Sequence, residues 1–200
     1  WLDLSFGEGP LTPKNGFKDQ GDVLIEARRA AMLLGASRLD RPEDVEIHPH
    51  TGKVYVMLTQ NRDRAEIEPG SPRAPNESGH LIEISPLNGD HGARTARWDP
   101  FLLGGPSELG GTQVGAGWIK NPDNGAFDPR GGLWVSADAH SSTVPSFGNG
   151  LWKCTLTGDR RGQAERFCTT PVGSEPCGPC FTPDGRSLFV SIQHPGEGTH

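Results

Sequence analysis

Little in this chain favours a nucleic-acid or membrane role. Lys and Arg total 19 against 25 Asp and Glu, a formal net charge of -6, so the positive surplus that phosphate backbones attract is missing. No apolar run approaches the ~20 residues of a membrane-crossing helix. Apolar residues make up only 33% of the 200 residues, which argues for a modest core rather than a helical bundle. The four cysteines include one C-x-x-C, Cys177-Gly178-Pro179-Cys180, with no second copy to complete a zinc site. The seven histidines form no H-x-x-x-H pair, so a helical metal motif is excluded as well.

The chain is rich instead in 28 Gly and 18 Pro, and it keeps five Trp and eight Phe. That mixture suits turn-rich β structure and argues against disorder. One phrase occurs three times: Pro42-Glu43-Asp44-Val45-Glu46-Ile47-His48-Pro49, Pro122-Asp123-Asn124-Gly125-Ala126-Phe127-Asp128-Pro129 and Pro176-Cys177-Gly178-Pro179-Cys180-Phe181-Thr182-Pro183. Each copy is followed by a Gly turn and a strand-like run, beginning at Lys53, Leu133 and Ser187. A strand–turn–strand unit recurring at tens of residues marks the blades of a β-propeller. The expected fold is therefore all-β, a partial propeller with one short helical insertion. The spacing of Pro49, Pro129 and Pro183 allows about three blades, and closure needs at least about four. Residues 1–200 are accordingly expected to be a fragment of a single propeller domain.

Between the phrases the sequence is uneven. Residues 1–15 read as irregular. Residues 19–34 read as the one helix, capped by Asp19 or Asp22, with Val23, Leu24, Ala27, Ala31 and Leu34 on one face and Gly35 as its stop. Residues 61–78 form a charged, Pro-rich excursion that looks too polar to pack. Residues 150–156 and 163–169 flank Gly158-Asp159-Arg160-Arg161-Gly162, a hairpin signal. Cys154 and Cys168 are expected to face each other across that hairpin, close enough for a disulfide.

Several segments carry a family resemblance. Residues 1–15, the helix, Asp40-Arg41-Pro42-Glu43-Asp44, Asn121-Pro122-Asp123-Asn124, Pro171-Val172-Gly173-Ser174-Glu175 and Gln193-His194-Pro195-Gly196-Glu197 resemble the PhoX-type alkaline phosphatases, in their C-terminal part. The resemblance implies a six-bladed propeller with calcium and iron in its central channel. It further implies hydrolysis of small-molecule phosphate monoesters in the periplasm or outside the cell, where a disulfide would persist, and a monomer with neither a nucleic-acid partner nor a membrane span.

A phosphate monoester is a dianion at neutral pH, and hard cations held by carboxylates can neutralise it. The resemblance picks out Glu43, Asp123 and Glu175 as metal ligands and Arg41 as the clamp for two phosphoryl oxygens. Arg62 and Arg64 are candidates for extra positive charge at the site's mouth, and His194 and Glu197 for positions close to the metals. The family's iron-ligating cysteine lies in its other half, so no cysteine of this chain is expected at the metal site. The competing expectations are a calcium-dependent lactonase-like propeller hydrolase and a non-catalytic propeller that binds a ligand on one face.

Overall fold

The computed structural model describes residues 1–107, 111, 118–138, 149–171 and 173–195. The chain divides into two compact units, Trp1–Arg38 and Leu39–His200.

In the first unit the expected helix is two short ones. Asp19 caps α1 (Gln20–Ile25), its Oδ1 accepting from the Asp22 N–H at 2.9 Å. Glu26 leaves the helical region at φ -97°, ψ 34°, and α2 (Ala27–Leu33) starts beyond it. The Glu26 N–H bonds back to Asp22 while its carbonyl accepts from Ala30, so one residue closes the first helix and opens the second. The break turns Val23 and Ala30 inward onto Leu11 and Phe17, and it leaves Leu24 exposed. Gly35 stops α2 as expected, with N–H bonds from Gly35 and Ala36 back into its last turn.

The second unit is antiparallel β structure. Strands β1 (Pro42–Ile47), β2 (Val54–Leu58), β3 (His80–Pro86) and β4 (Ala96–Leu103) form one sheet in that order. Strands β5 (Pro122–Phe127), β6 (Leu133–Ala137), β7 (Gly150–Cys154) and β8 (Ala164–Thr169) form a second, and β9 (Glu175–Phe181) with β10 (Leu188–Gln193) a third of two strands. The three phrases are thus β1, β5 and β9, the first strand of each sheet, and the runs after the Gly turns are β2, β6 and β10. Alternation along β2 divides its side chains between two cores. Tyr55 and Met57 join Leu133, Val135 and Trp152, while Val56 and Leu58 meet Ile82. Along these runs Val56, Leu133 and Val135 are buried, whereas Val54, Leu188 and Val190 are half-buried.

A repeated bond joins the sheets. Asp44 Oδ2 accepts from the Gly125 N–H at 2.8 Å, and Asn124 Oδ1 accepts from the Gly178 N–H at 2.9 Å. Asp44 and Asn124 hold the same place in their phrases, and Gly178 holds that place in the third. The pairing register slips at this point in every copy, between Pro42 and Asp44, between Pro122 and Gly125, and opposite the Phe189/Ser191 step. At Gly125 an added Cβ would meet the end of the Met57 side chain, which would have to move.

Two expectations fail in this unit. Part of residues 61–78 does pack, around a paired Arg64. Buried Arg64 bonds buried Asp40 at 2.6 Å, Asn76 bonds the other Asp40 oxygen at 2.9 Å, and His80 joins Asn76 to the Gly70 carbonyl. The hairpin of β7 and β8 exists, but Cys154 pairs with Ala164 and Cys168 with Leu151. An odd offset of three residues along β7 sets the two cysteines on opposite faces. Cys154 is buried, Cys168 is exposed, and both are free thiols.

Candidate metal centre

The first residues of β1, β5 and β9 lie at the same ends of their sheets. Arg41 and Asn121, each directly before the first Pro of a phrase, take left-handed backbone at φ 50° and 52°. Such a conformation is strained for Arg and milder for Asn, and a matching bond holds each in place. The Thr59 N–H reaches the Arg41 carbonyl at 3.2 Å, and the Asp138 N–H reaches the Asn121 carbonyl at 2.9 Å. Outliers of this kind concentrate where structure serves a site.

At that end, the ligand atoms of Asp123, Glu175 and Cys177 lie within 4.8 Å of one another. Asp123 is buried, while Glu175 and Cys177 are half-buried. Asp123 shares a hydrogen bond with Glu175, and the Cys177 thiol donates to Glu175 Oε1 at 3.3 Å. Burial, the Glu175 hydrogen bond and the charges of Glu175, Glu43 and Asp138 push the Asp123 carboxyl up to about 7. Burial, the Glu175 hydrogen bond and the charges of Glu175, Asp123 and Asp138 push the Cys177 thiol up to about 12. Both directions describe negative groups crowded together. Asn121 is 2% exposed, and its Nδ2 donates to the Asp138 carbonyl at 3.0 Å while its Oδ1 has no partner among the described residues. Two crowded carboxylates suit a bound cation with oxygen ligands.

Of the residues singled out in the sequence, Asp123 and Glu175 meet directly. Glu43 is near enough for its charge to act on Asp123. Arg41 holds Glu43 through Nη2 at 3.0 Å, in a pair open to solvent. His194 bonds Gln193, whose Oε1 lies 3.6 Å from Cys177 Sγ. Gly196 and Glu197, the end of that motif, lie outside the described residues. Arg64 contributes no charge at the mouth, being consumed by Asp40 in the network under residues 61–78. Arg62 is exposed and acts on half-buried Lys120, next to Asn121.

Cys177 was missed, although the phrases carry its signal. It follows the first Pro of the third copy, as Glu43 and Asp123 follow theirs. A cleft of about 520 Å³ lined by His48, Trp134, Lys153 and Phe181 opens at the other ends of these strands and contains none of the acidic group.

The architecture has a counterpart among known proteins. A family described as Alkaline phosphatase PhoX matches residues 1–196. A solved structure of Pseudomonas fluorescens PhoX in complex with vanadate, a transition state analogue, is 34% identical with a TM-score of 0.90. The match covers 100% of this chain and 37% of that one, so the chain spans little more than a third of its relative's length. No curated protein matches it. With the family's sequence pattern running over nearly all its residues and the fold shared at that identity, the chain belongs to the PhoX alkaline phosphatase family.

Proposed function

We propose that the intact protein carrying this chain hydrolyses phosphate monoesters, and that the end of the sheets holding Asp123 and Glu175 forms part of its metal centre. The observation that carries this proposal is the convergence of the Asp123, Glu175 and Cys177 ligand atoms within 4.8 Å. The vanadate bound to the Pseudomonas fluorescens relative supports phosphoryl transfer as the chemistry. In this proposal the 200 residues are about three blades of a six-bladed propeller, residues 19–34 are a helical insertion, and the working compartment is periplasmic or extracellular.

Glu43, Asp123 and Glu175 would hold calcium and iron. Bound there, the cations would supply positive charge to the phosphoryl oxygens and acidify water at the site. The chain's own groups do the rest. Arg41, strained at the strand mouth and exposed, holds Glu43 with one nitrogen and keeps the rest of its planar fork for the phosphoryl group. The same contact aligns Glu43. Burial of Asp123 lowers the local dielectric, so charge placed at this end acts strongly.

The test is an assay of the intact, metal-loaded protein on a chromogenic phosphate ester and, in parallel, on a lactone. Ester hydrolysis abolished by Glu43→Gln and weakened in substrate affinity by Arg41→Lys is the expected result. Lactone hydrolysis alone, or undiminished ester hydrolysis in both variants, overturns it.

A further inference from the structure

The three phrases are equivalent in structure as well as in sequence. Pro42, Pro122 and Pro176 pair with Leu58, Ala137 and Ile192 near the far ends of β2, β6 and β10. A register slip follows each. The residue directly after the proline is Glu43 in the first sheet, Asp123 in the second and Cys177 in the third. Two of those three are hard oxygen donors directed to one end of the sheets, and the third has its sulfur 3.3 Å from Glu175 Oε1. Asn121, two residues before Asp123, is 2% exposed, and its Oδ1 has no donor among the described residues; its Nδ2 bonds the backbone carbonyl of Asp138, a residue whose charge reaches both Asp123 and Cys177.

A thiol at this place has a use that a carboxylate lacks. Thiolate is a soft ligand that favours transition-metal ions, while calcium takes oxygen. The second cysteine of the motif, Cys180, is exposed three residues further along β9, and among the described residues its sulfur reaches the Phe181 carbonyl, at 3.9 Å. The site therefore distinguishes the two cysteines.

We propose that Cys177 is a ligand of the cation held by Asp123 and Glu175, which presupposes the metal centre proposed above, and that it biases this position toward a transition-metal ion over calcium. On binding, the S–H bond breaks, its proton passes to Glu175 and on to solvent, and a sulfur–metal bond forms with no change of oxidation state.

The experiment uses the intact protein stripped by chelation and reloaded with cobalt(II) or with calcium chloride. Iodoacetamide then labels free thiols, and fragmentation of the peptide containing residues 177 and 180 locates the label. Cobalt(II) should shield Cys177 and leave Cys180 labelled, and calcium should shield neither. Cys177→Ser should remove a thiolate-to-cobalt absorption component in the near ultraviolet and weaken cobalt binding by roughly tenfold or more, with calcium binding unchanged. Cys180→Ser should do neither. Equal labelling of Cys177 with and without cobalt(II), or an unchanged cobalt spectrum in Cys177→Ser, overturns the proposal. Asp123→Asn and Glu175→Gln separate the two levels. If both keep wild-type cobalt affinity, the metal centre itself is refuted; if they lose it while Cys177→Ser does not, only the role of Cys177 is.

Discussion

Two buried acidic places in the same unit are built in opposite ways. Asp40 is fully buried, yet Arg64 and Asn76 take its two oxygens at 2.6 and 2.9 Å. Burial alone would raise its pKa, and the hydrogen bonds from Asn76 and Arg64 with the Arg64 charge bring it below the ordinary value instead. Asp123 is buried beside Glu175 within reach of Glu43 and Asp138, and its carboxyl is driven the other way. A buried charge whose partner is supplied by the chain is architecture. A buried charge surrounded by its own sign points to something that must come from outside.

The largest expected effect tests the first half of that contrast. Arg64→Met leaves Asp40 buried without its cation and should cost about 3–5 kcal/mol of folding stability, read by chemical denaturation of the intact protein. A loss below about 1 kcal/mol would mean that Asp40 is not held as described. Glu175→Gln tests the other half. It should lower kcat/KM on a phosphate ester by more than the about 10–100-fold typical of changes to a metal ligand's outer partners. With metal removed it should leave stability equal or higher, because one repelling charge is gone.

The contrast also has a pH signature. The folded pKa of Asp123 lies near 7 against about 3.9 in an unfolded chain, so the folded state holds the extra proton. Its contribution to stability is complete below about pH 4 and is lost as pH rises through about 7. Asp40, with its folded pKa lowered, contributes above its unfolded value and loses that contribution on acidification. Metal-free protein should therefore lose stability on going from pH 5 to pH 7.5, and Asp123→Asn should flatten that slope. A slope that persists in the variant assigns the effect elsewhere.

Much of this was legible in the residues. The threefold phrase located β1, β5 and β9, and the Gly turns located β2, β6 and β10, because strand and turn chemistry are local. Asp123 and Glu175 were legible through their motifs. Residues 61–78 were misread because polarity is visible in a sequence and pairing is not: Asp40 and Arg64 are 24 residues apart. The Cys154–Cys168 pairing failed because the turn sets Cys154 opposite Ala164, a register that the positions of the turn glycines do not fix. The helix failed at Glu26, whose backbone angles no apolar spacing reports. Cys177 was passed over because the family's iron-ligating cysteine lies in its other half, although its place in the phrase is that of Glu43 and Asp123.

The smallest expected effect falls on the bonds between sheets. Asn124→Ala removes the acceptor for the Gly178 N–H and should cost about 1 kcal/mol, measured by urea denaturation with metal absent. No change would show that the third sheet is positioned without it.

Those bonds act as a ruler. Glu43 and Asp44 are consecutive, as are Asp123 and Asn124, and in each pair one residue belongs to the acidic end and the next grips the following sheet's backbone. The dimension between the first residues of β1, β5 and β9 is thus set one residue away from the groups it aligns, by bonds to amide nitrogens rather than by the charged atoms themselves. Alignment of this kind holds whether the site is filled or stripped. An ion taken up at this end, as proposed above, would then exchange without disturbing the spacing of the side chains around it.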